Sequence, residues 1–84
     1  MTDYLSADYK ADVSVDYKGL VCPMPIVMLK KQMTTMQPGQ SLEIIASDPG
    51  VESDIPAWCE STRNEYLGMK EPVGDVFMLY VRKS

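Results

Sequence analysis

The sequence predicts an α+β domain: a two-layer α/β sandwich of order βαβαββ, with two helices on one face of a four-stranded mixed sheet. Three observations carry that expectation. Short runs alternating polar and apolar residues mark strands, two longer runs with apolar residues three and four apart mark helices, and clusters of Gly and Pro punctuate them. The 84 residues suffice for one core and two layers, without an internal repeat or a linker. Residues 1–11 fall outside the pattern. They are mixed polar, carry Tyr4 and Tyr9 without periodicity, and read as a loosely held N-terminal extension before a single domain over 12–84.

Asp12 to Tyr17 alternates polar and apolar residues, the mark of a half-buried strand, and Lys18-Gly19 ends it. Pro25 to Met36 reads as a helix, with Ile26, Leu29, Lys30, Met33 and Met36 at spacings of three or four, apolar at most of those positions, and Pro25 in the first turn, where its missing N–H costs nothing. Gln37-Pro38-Gly39 stops it, and Ser41 to Ala46 follows as a strand with Leu42, Ile44 and Ala46 on one face. After the turn Asp48-Pro49-Gly50, the residues Val51, Ile55, Trp58, Cys59 and Thr62 share one face of a second helix. Pro56 belongs near a helix start, so the regular part is expected from about Asp54, a good cap residue. Tyr66 to Val73 and Val76 to Lys83 read as two strands joined by a tight hairpin at Gly74-Asp75. In the last strand Phe77, Leu79 and Val81 form the core set. The opposite set, Val76, Met78, Tyr80 and Arg82, is apolar for a face expected to be wet, which leaves room for weak association with a second copy there.

Composition excludes several function classes. A net charge of −4 and a pI near 4.5 argue against a nucleic-acid surface and favour a partner with a basic docking face. No run approaches the roughly 20 apolar residues that span a bilayer. The first residues lack the basic and apolar regions of a signal peptide, so a cytoplasmic protein is expected. In that reducing compartment Cys22 and Cys59 are expected as free thiols. Seven methionines read as adaptable core filler. Histidine is absent, which excludes a Cys–His hydrolase, a His zinc site and imidazole acid–base catalysis within this chain. Neither a metal nor a bound cofactor is expected: two cysteines do not complete a zinc site, and there is no phosphate loop or dinucleotide fingerprint.

The residues that carry chemistry are Leu20-Val21-Cys22-Pro23-Met24-Pro25, where a strand gives way to a helix. Helix N-termini present unpaired N–H groups and the positive end of the macrodipole, and both favour a thiolate, the nucleophilic form. Pro23 and Pro25 each fix their own φ and bias the residue before them away from the helix, so Cys22 is expected as a displayed sulfur on a stiff mount. The alternative is a small buried apolar Cys22 beside helix-starting prolines. Position 25 is proline, so no local Cys-x-x-Cys exchange is available. Cys59, on the apolar stripe of the second helix, reads as core, with a resolving thiol for Cys22 as its minor alternative. Asp48, Glu52 and Asp54 read as acidic residues complementing a helix N-terminus.

Leu20-x-Cys22-Pro23-x-Pro25 before an amphipathic helix resembles the signature of the TusA/SirA/YedF-like sulfur carriers, and Asp48-Pro49-Gly50 with Asp54 to Cys59 resembles their second-helix segment; the likeness covers residues 12–83. The resemblance implies a sandwich like the C-terminal domain of translation initiation factor 3 and a role in persulfide relay. Cys22 would bear the sulfur, with Pro23 and Pro25 shaping its loop. A cysteine desulfurase or rhodanese-type protein would be the donor, and a cysteine of an acceptor protein would take the sulfur on. Such a carrier has no self-contained catalytic site, and its only covalent cargo is the persulfide. Where family members often carry Gly-His after the second helix, this chain has Arg63-Asn64, so tRNA thiolation, sulfur oxidation, cofactor sulfuration and selenium handling all stay open. A redox-sensing or interaction module with a structural Cys22 is the competing expectation.

Overall fold

The computed structural model of the chain describes residues 11–84, so the expected extension lies, apart from Ala11, outside the described residues. Six elements follow in the expected order: β1 (Val13–Tyr17), α1 (Met24–Met33), β2 (Ser41–Ala46), α2 (Val51–Thr62), β3 (Glu65–Met69) and β4 (Phe77–Arg82). They build one sheet of order β1-β2-β4-β3, with β1 parallel to β2 and the other neighbours antiparallel. The sheet is therefore mixed, as expected.

Patterning places the core. Leu42, Ile44 and Ala46 of β2 and Phe77, Leu79 and Val81 of β4 pair across the sheet and are all buried. Leu29 and Met33 of α1 close over them together with Val51, Ile55 and Cys59 of α2. Truncating a buried Leu or Ile to Ala in such a core costs about 2–5 kcal/mol, most of a small domain's margin.

Three boundaries differ from expectation for local reasons. α2 begins at Val51 rather than near Asp54, because the Asp48-Pro49-Gly50 turn already supplies its first acceptors: Val51 N–H bonds Asp48 C=O (3.1 Å) and Glu52 N–H bonds Pro49 C=O (3.2 Å). Pro56 then sits inside the helix and removes one backbone donor. α1 ends at Met33 instead of Met36. The N–H groups of Thr34, Thr35 and Met36 bond only three residues back, while the Thr34 and Thr35 hydroxyls cap Lys31 and Gln32 carbonyls, both at 2.7 Å. Lys83 Nζ then closes that helix end on the carbonyls of Met33 (2.6 Å) and Met36 (2.7 Å). β3 stops at Met69, before Pro72, and beyond its pairing with β4 the expected hairpin continues only through the Lys70 N–H bond to Met78 C=O and the Val73–Val76 bridge around Gly74-Asp75.

The face opposite the helices is less wet than expected. Tyr80 is only 1% exposed, and its hydroxyl donates to Glu43 Oε2 (2.5 Å) while Ser14 Oγ donates to Glu43 Oε1 (2.7 Å). These two bonds, Tyr80 first, hold the Glu43 carboxyl below its ordinary value of 4.5. A depressed folded-state value stabilises the fold above pH 4.5, and this contribution disappears as pH falls through the folded-state value. Glu43→Gln should therefore lose less stability than the parent between about pH 6 and about pH 3, as read by urea unfolding at each pH.

At the other end of α2, Arg63 holds a left-handed conformation (φ 63), and Asn64 N–H reaches back to Cys59 C=O (2.9 Å) in a Schellman closure. Glycine is the residue this conformation favours, and a non-glycine residue costs about 1–2 kcal/mol there. After glycine's greater unfolded-state entropy is subtracted, Arg63→Gly should stabilise by about 0.5–1 kcal/mol, measured by denaturant titration.

Candidate functional site

Because β1 and β2 run parallel, the loops that follow them leave the same end of the sheet and meet there. The first loop carries Cys22 and the second carries Ser47 and Asp48. Leu20 N–H bonds Tyr17 C=O (3.1 Å) to turn the chain off β1, and Gly19, at φ +88, directs its N–H to Ser47 Oγ (2.9 Å). Val21 to Met24 then form a closed turn, with Met24 N–H on Val21 C=O at 2.8 Å. The Cys22–Pro23 peptide is cis, so this is the turn class with cis-proline in third place. Cys22 occupies the second place of that turn, and its thiol is exposed.

One carboxylate fixes this arrangement. Asp48 Oδ2 accepts the N–H of Cys22 (2.8 Å) and Asp48 Oδ1 accepts the N–H of Gly50 (3.1 Å). Asp48 thus ties the cysteine turn to the residues that start α2. Sequence reasoning placed Asp48 among residues complementing a helix N-terminus. Its Asx turn with Gly50 was legible in Asp48-Pro49-Gly50, but its bond to a residue 26 positions earlier was not.

Pro23 and Pro25 take the places expected of them, with one difference in consequence. Pro23 is the N-cap of α1 and Pro25, buried, lies in its first turn. Neither has an N–H, Met24 N–H is used by the turn, and Ile26 and Val27 N–H both bond Pro23 C=O at 3.1 Å. The expected unpaired donors at this helix N-terminus are therefore all deleted or engaged. The sulfur is displayed beside the positive end of the helix dipole without a free backbone N–H to bind it.

Cys59 stands apart. It is 1% exposed, and burial raises its thiol to about 11. It lies eight residues after Val51, roughly 12 Å along α2 from the end that Asp48 joins to Cys22. The core reading of Cys59 is the one this geometry supports. Among the described residues, no group of three or more His, Cys, Asp or Glu side chains is placed to hold a metal, and no helix is long and apolar enough to cross a membrane.

Against known proteins, the pattern of the family described as Sulfurtransferase TusA matches residues 13–83. The chain belongs to the TusA family. It is 47% identical over 75 residues to YrkF of Bacillus subtilis, covering 89% of this chain but only 40% of that protein. A relative from Halobacterium salinarum is 40% identical over 80 residues and is matched over 99% of its length, and YrkI of Bacillus subtilis is 40% identical and likewise matched over 99%. All three are provisionally named sulfur carrier proteins. The fold is that of a SirA-like protein from Desulfitobacterium hafniense, with a TM-score of 0.72 at 17% identity, over 83% of this chain and 95% of that one. The expected family and the expected fold both stand.

Two measurements check the site. A neutral alkylating reagent at pH 7 should label Cys22 alone in the folded protein and Cys59 only after denaturation, as read by peptide mass mapping. Asp48→Ala should weaken the junction by about 1–2 kcal/mol, raising hydrogen exchange at the Cys22 and Gly50 amides about tenfold while core amides of β2 keep their protection.

Proposed function

We propose that this TusA-family protein carries sulfur as a persulfide on Cys22 and relays it between proteins. The observation that carries the reading is the exposed thiol on a turn clamped by Asp48, with the second thiol buried in the core. In loading, the Cys22 thiolate attacks the outer sulfur of a donor cysteine persulfide. The donor S–S bond breaks, the donor thiolate leaves, and Cys22 holds the S–SH group. In delivery, an acceptor thiolate attacks that outer sulfur and Cys22 leaves as thiolate. Each step exchanges one S–S bond for another, so neither an oxidant nor an imidazole base is needed, which suits a chain without histidine.

Membership of a sulfurtransferase family and the names of its relatives support this reading. The donor is proposed to be a cysteine desulfurase or rhodanese-type protein, working in the cytoplasm without a metal or bound cofactor. Incubation of the purified protein with cysteine and a cysteine desulfurase, or with a polysulfide, should add the mass of one sulfur atom. Cys22→Ala should abolish the gain, and Cys59→Ala should keep it. A gain that survives Cys22→Ala, or no gain on the parent protein with any donor, overturns the proposal.

A further inference from the structure

Among the described residues, the exposed large apolar side chains gather at one end of the sheet and most of the cations at the other, while acids occur at both. Among the described residues, the large hydrophobic side chains left exposed are Val21, Met24, Val27 and Val73. The first three flank Cys22 or lie within the first turn of α1. Val73 is 51 positions from Cys22 in sequence yet belongs to the same end, because Phe77 at the start of β4 pairs with Ala46 at the finish of β2. Beyond that pair the chain continues to Val73, while beyond Ala46 come Ser47 and Asp48, which hold the cysteine loop. The hairpin tip is ordered: Val73 and Val76 exchange both backbone hydrogen bonds (3.1 and 3.0 Å) across Gly74-Asp75, and Lys70 N–H bonds Met78 C=O at 3.0 Å. Val73 is nonetheless 76% exposed, an apolar side chain on a built projection.

The charges at this end are Asp16, Asp48, Glu52, Asp54, Glu71 and Asp75 against Lys18 and Lys70, both already engaged. Lys18 lies 3.9 Å from Asp16, and Lys70 sits 5.5 Å over the Tyr80 ring. The remaining described cations, Lys30, Lys31, Arg63, Arg82 and Lys83, gather toward the opposite end, where α1 and α2 finish and β4 runs out. An apolar centre with a charged rim is the anatomy of a protein-binding surface, and a rim of one sign selects a partner of the other.

We propose that the cysteine turn, the first turn of α1 and the Glu71–Asp75 hairpin tip form one docking face, and that it receives a protein surface with an apolar centre rimmed by Arg and Lys. This rests on Cys22 being the site of transfer, and it adds the hairpin tip as the second half of the contact. A second copy docked through the same face, a nucleic acid and an anionic membrane would each meet the acidic rim with like charge.

The test uses Cys22 attack on an activated disulfide, which does not depend on sulfur loading. Two peptides of about 12 residues, extending over at most ~40 Å, carry one cysteine as a thionitrobenzoate mixed disulfide within leucines. One peptide is flanked by arginines, the other by glutamates. The Cys22 thiolate attacks the peptide sulfur, thionitrobenzoate leaves and is read by its colour, and rates are normalised to a small neutral disulfide. The arginine peptide should react at least about tenfold faster at low ionic strength, with the ratio collapsing near about 1 M salt. The double variant Glu71→Lys/Asp75→Lys should cut the ratio at least about threefold, and Val73→Ser should slow the arginine peptide. Equal rates for the two peptides, or a ratio unchanged by the hairpin variants, overturn the docking face even if Cys22 carries sulfur. Selectivity lost in those variants upholds it even if Cys22 does not.

Discussion

Parallel pairing of β1 with β2 is the constraint from which the site follows. A parallel pair needs a crossover, here α1, and it sends both strands out at the same sheet end. The turn after β1 and the turn after β2 are therefore neighbours in space although far apart in sequence. Asp48 converts that proximity into a fixed geometry by accepting one N–H from each side, Cys22 and Gly50. Had β1 been antiparallel to β2, the two loops would face opposite ends and the Cys22 turn would hang from its own backbone alone. β4, antiparallel to β2, brings the β3–β4 hairpin back to that end as well.

The two prolines around Cys22 act mainly by subtraction. A helix N-terminus normally offers several unpaired N–H groups, and anions exploit them. Pro23 and Pro25 remove two such donors, the turn takes Met24 N–H, and Pro23 C=O takes the next two. What remains is a sulfur held at a defined place and bound by little. Under the proposed relay, a tightly solvated sulfur would have to shed those bonds at each exchange. An exposed thiol on such a turn would leave an incoming protein to complete the environment, and the acidic, apolar end of the sheet is the face proposed to receive it. Cys59 shows the opposite arrangement: buried among Leu, Ile and Val side chains and pushed up to about 11, it is kept out of the chemistry.

Much of this was legible in the sequence because period and punctuation are local. Alternation along Asp12 to Tyr17, the Leu42, Ile44 and Ala46 face, the helical stripe of Val51, Ile55 and Cys59, and the Phe77, Leu79 and Val81 set all fell where the periods of two and 3.6 put them. Cys22 was legible as the candidate site residue from its prolines and its place before a helix. Boundaries were less so. The start of α2 depended on a turn that supplies its own acceptors, and the end of α1 depended on threonine hydroxyls and on Lys83, which approaches from the far terminus.

The sequence by itself determined the order of elements, the core faces, the identity of the sulfur-bearing candidate and the family, since each resides in residue types at short spacing. Only the tertiary structure decided what surrounds that residue. The Asp48 bond to Cys22, the Ser47 bond to Gly19, the burial of Tyr80 against Glu43 and the arrival of Val73 at the cysteine end are all contacts between distant segments. Their residues are ordinary in their own neighbourhoods. They acquire a role only when strand pairing fixes which loops share an end, and pairing is a property of the whole sheet rather than of any one of its strands.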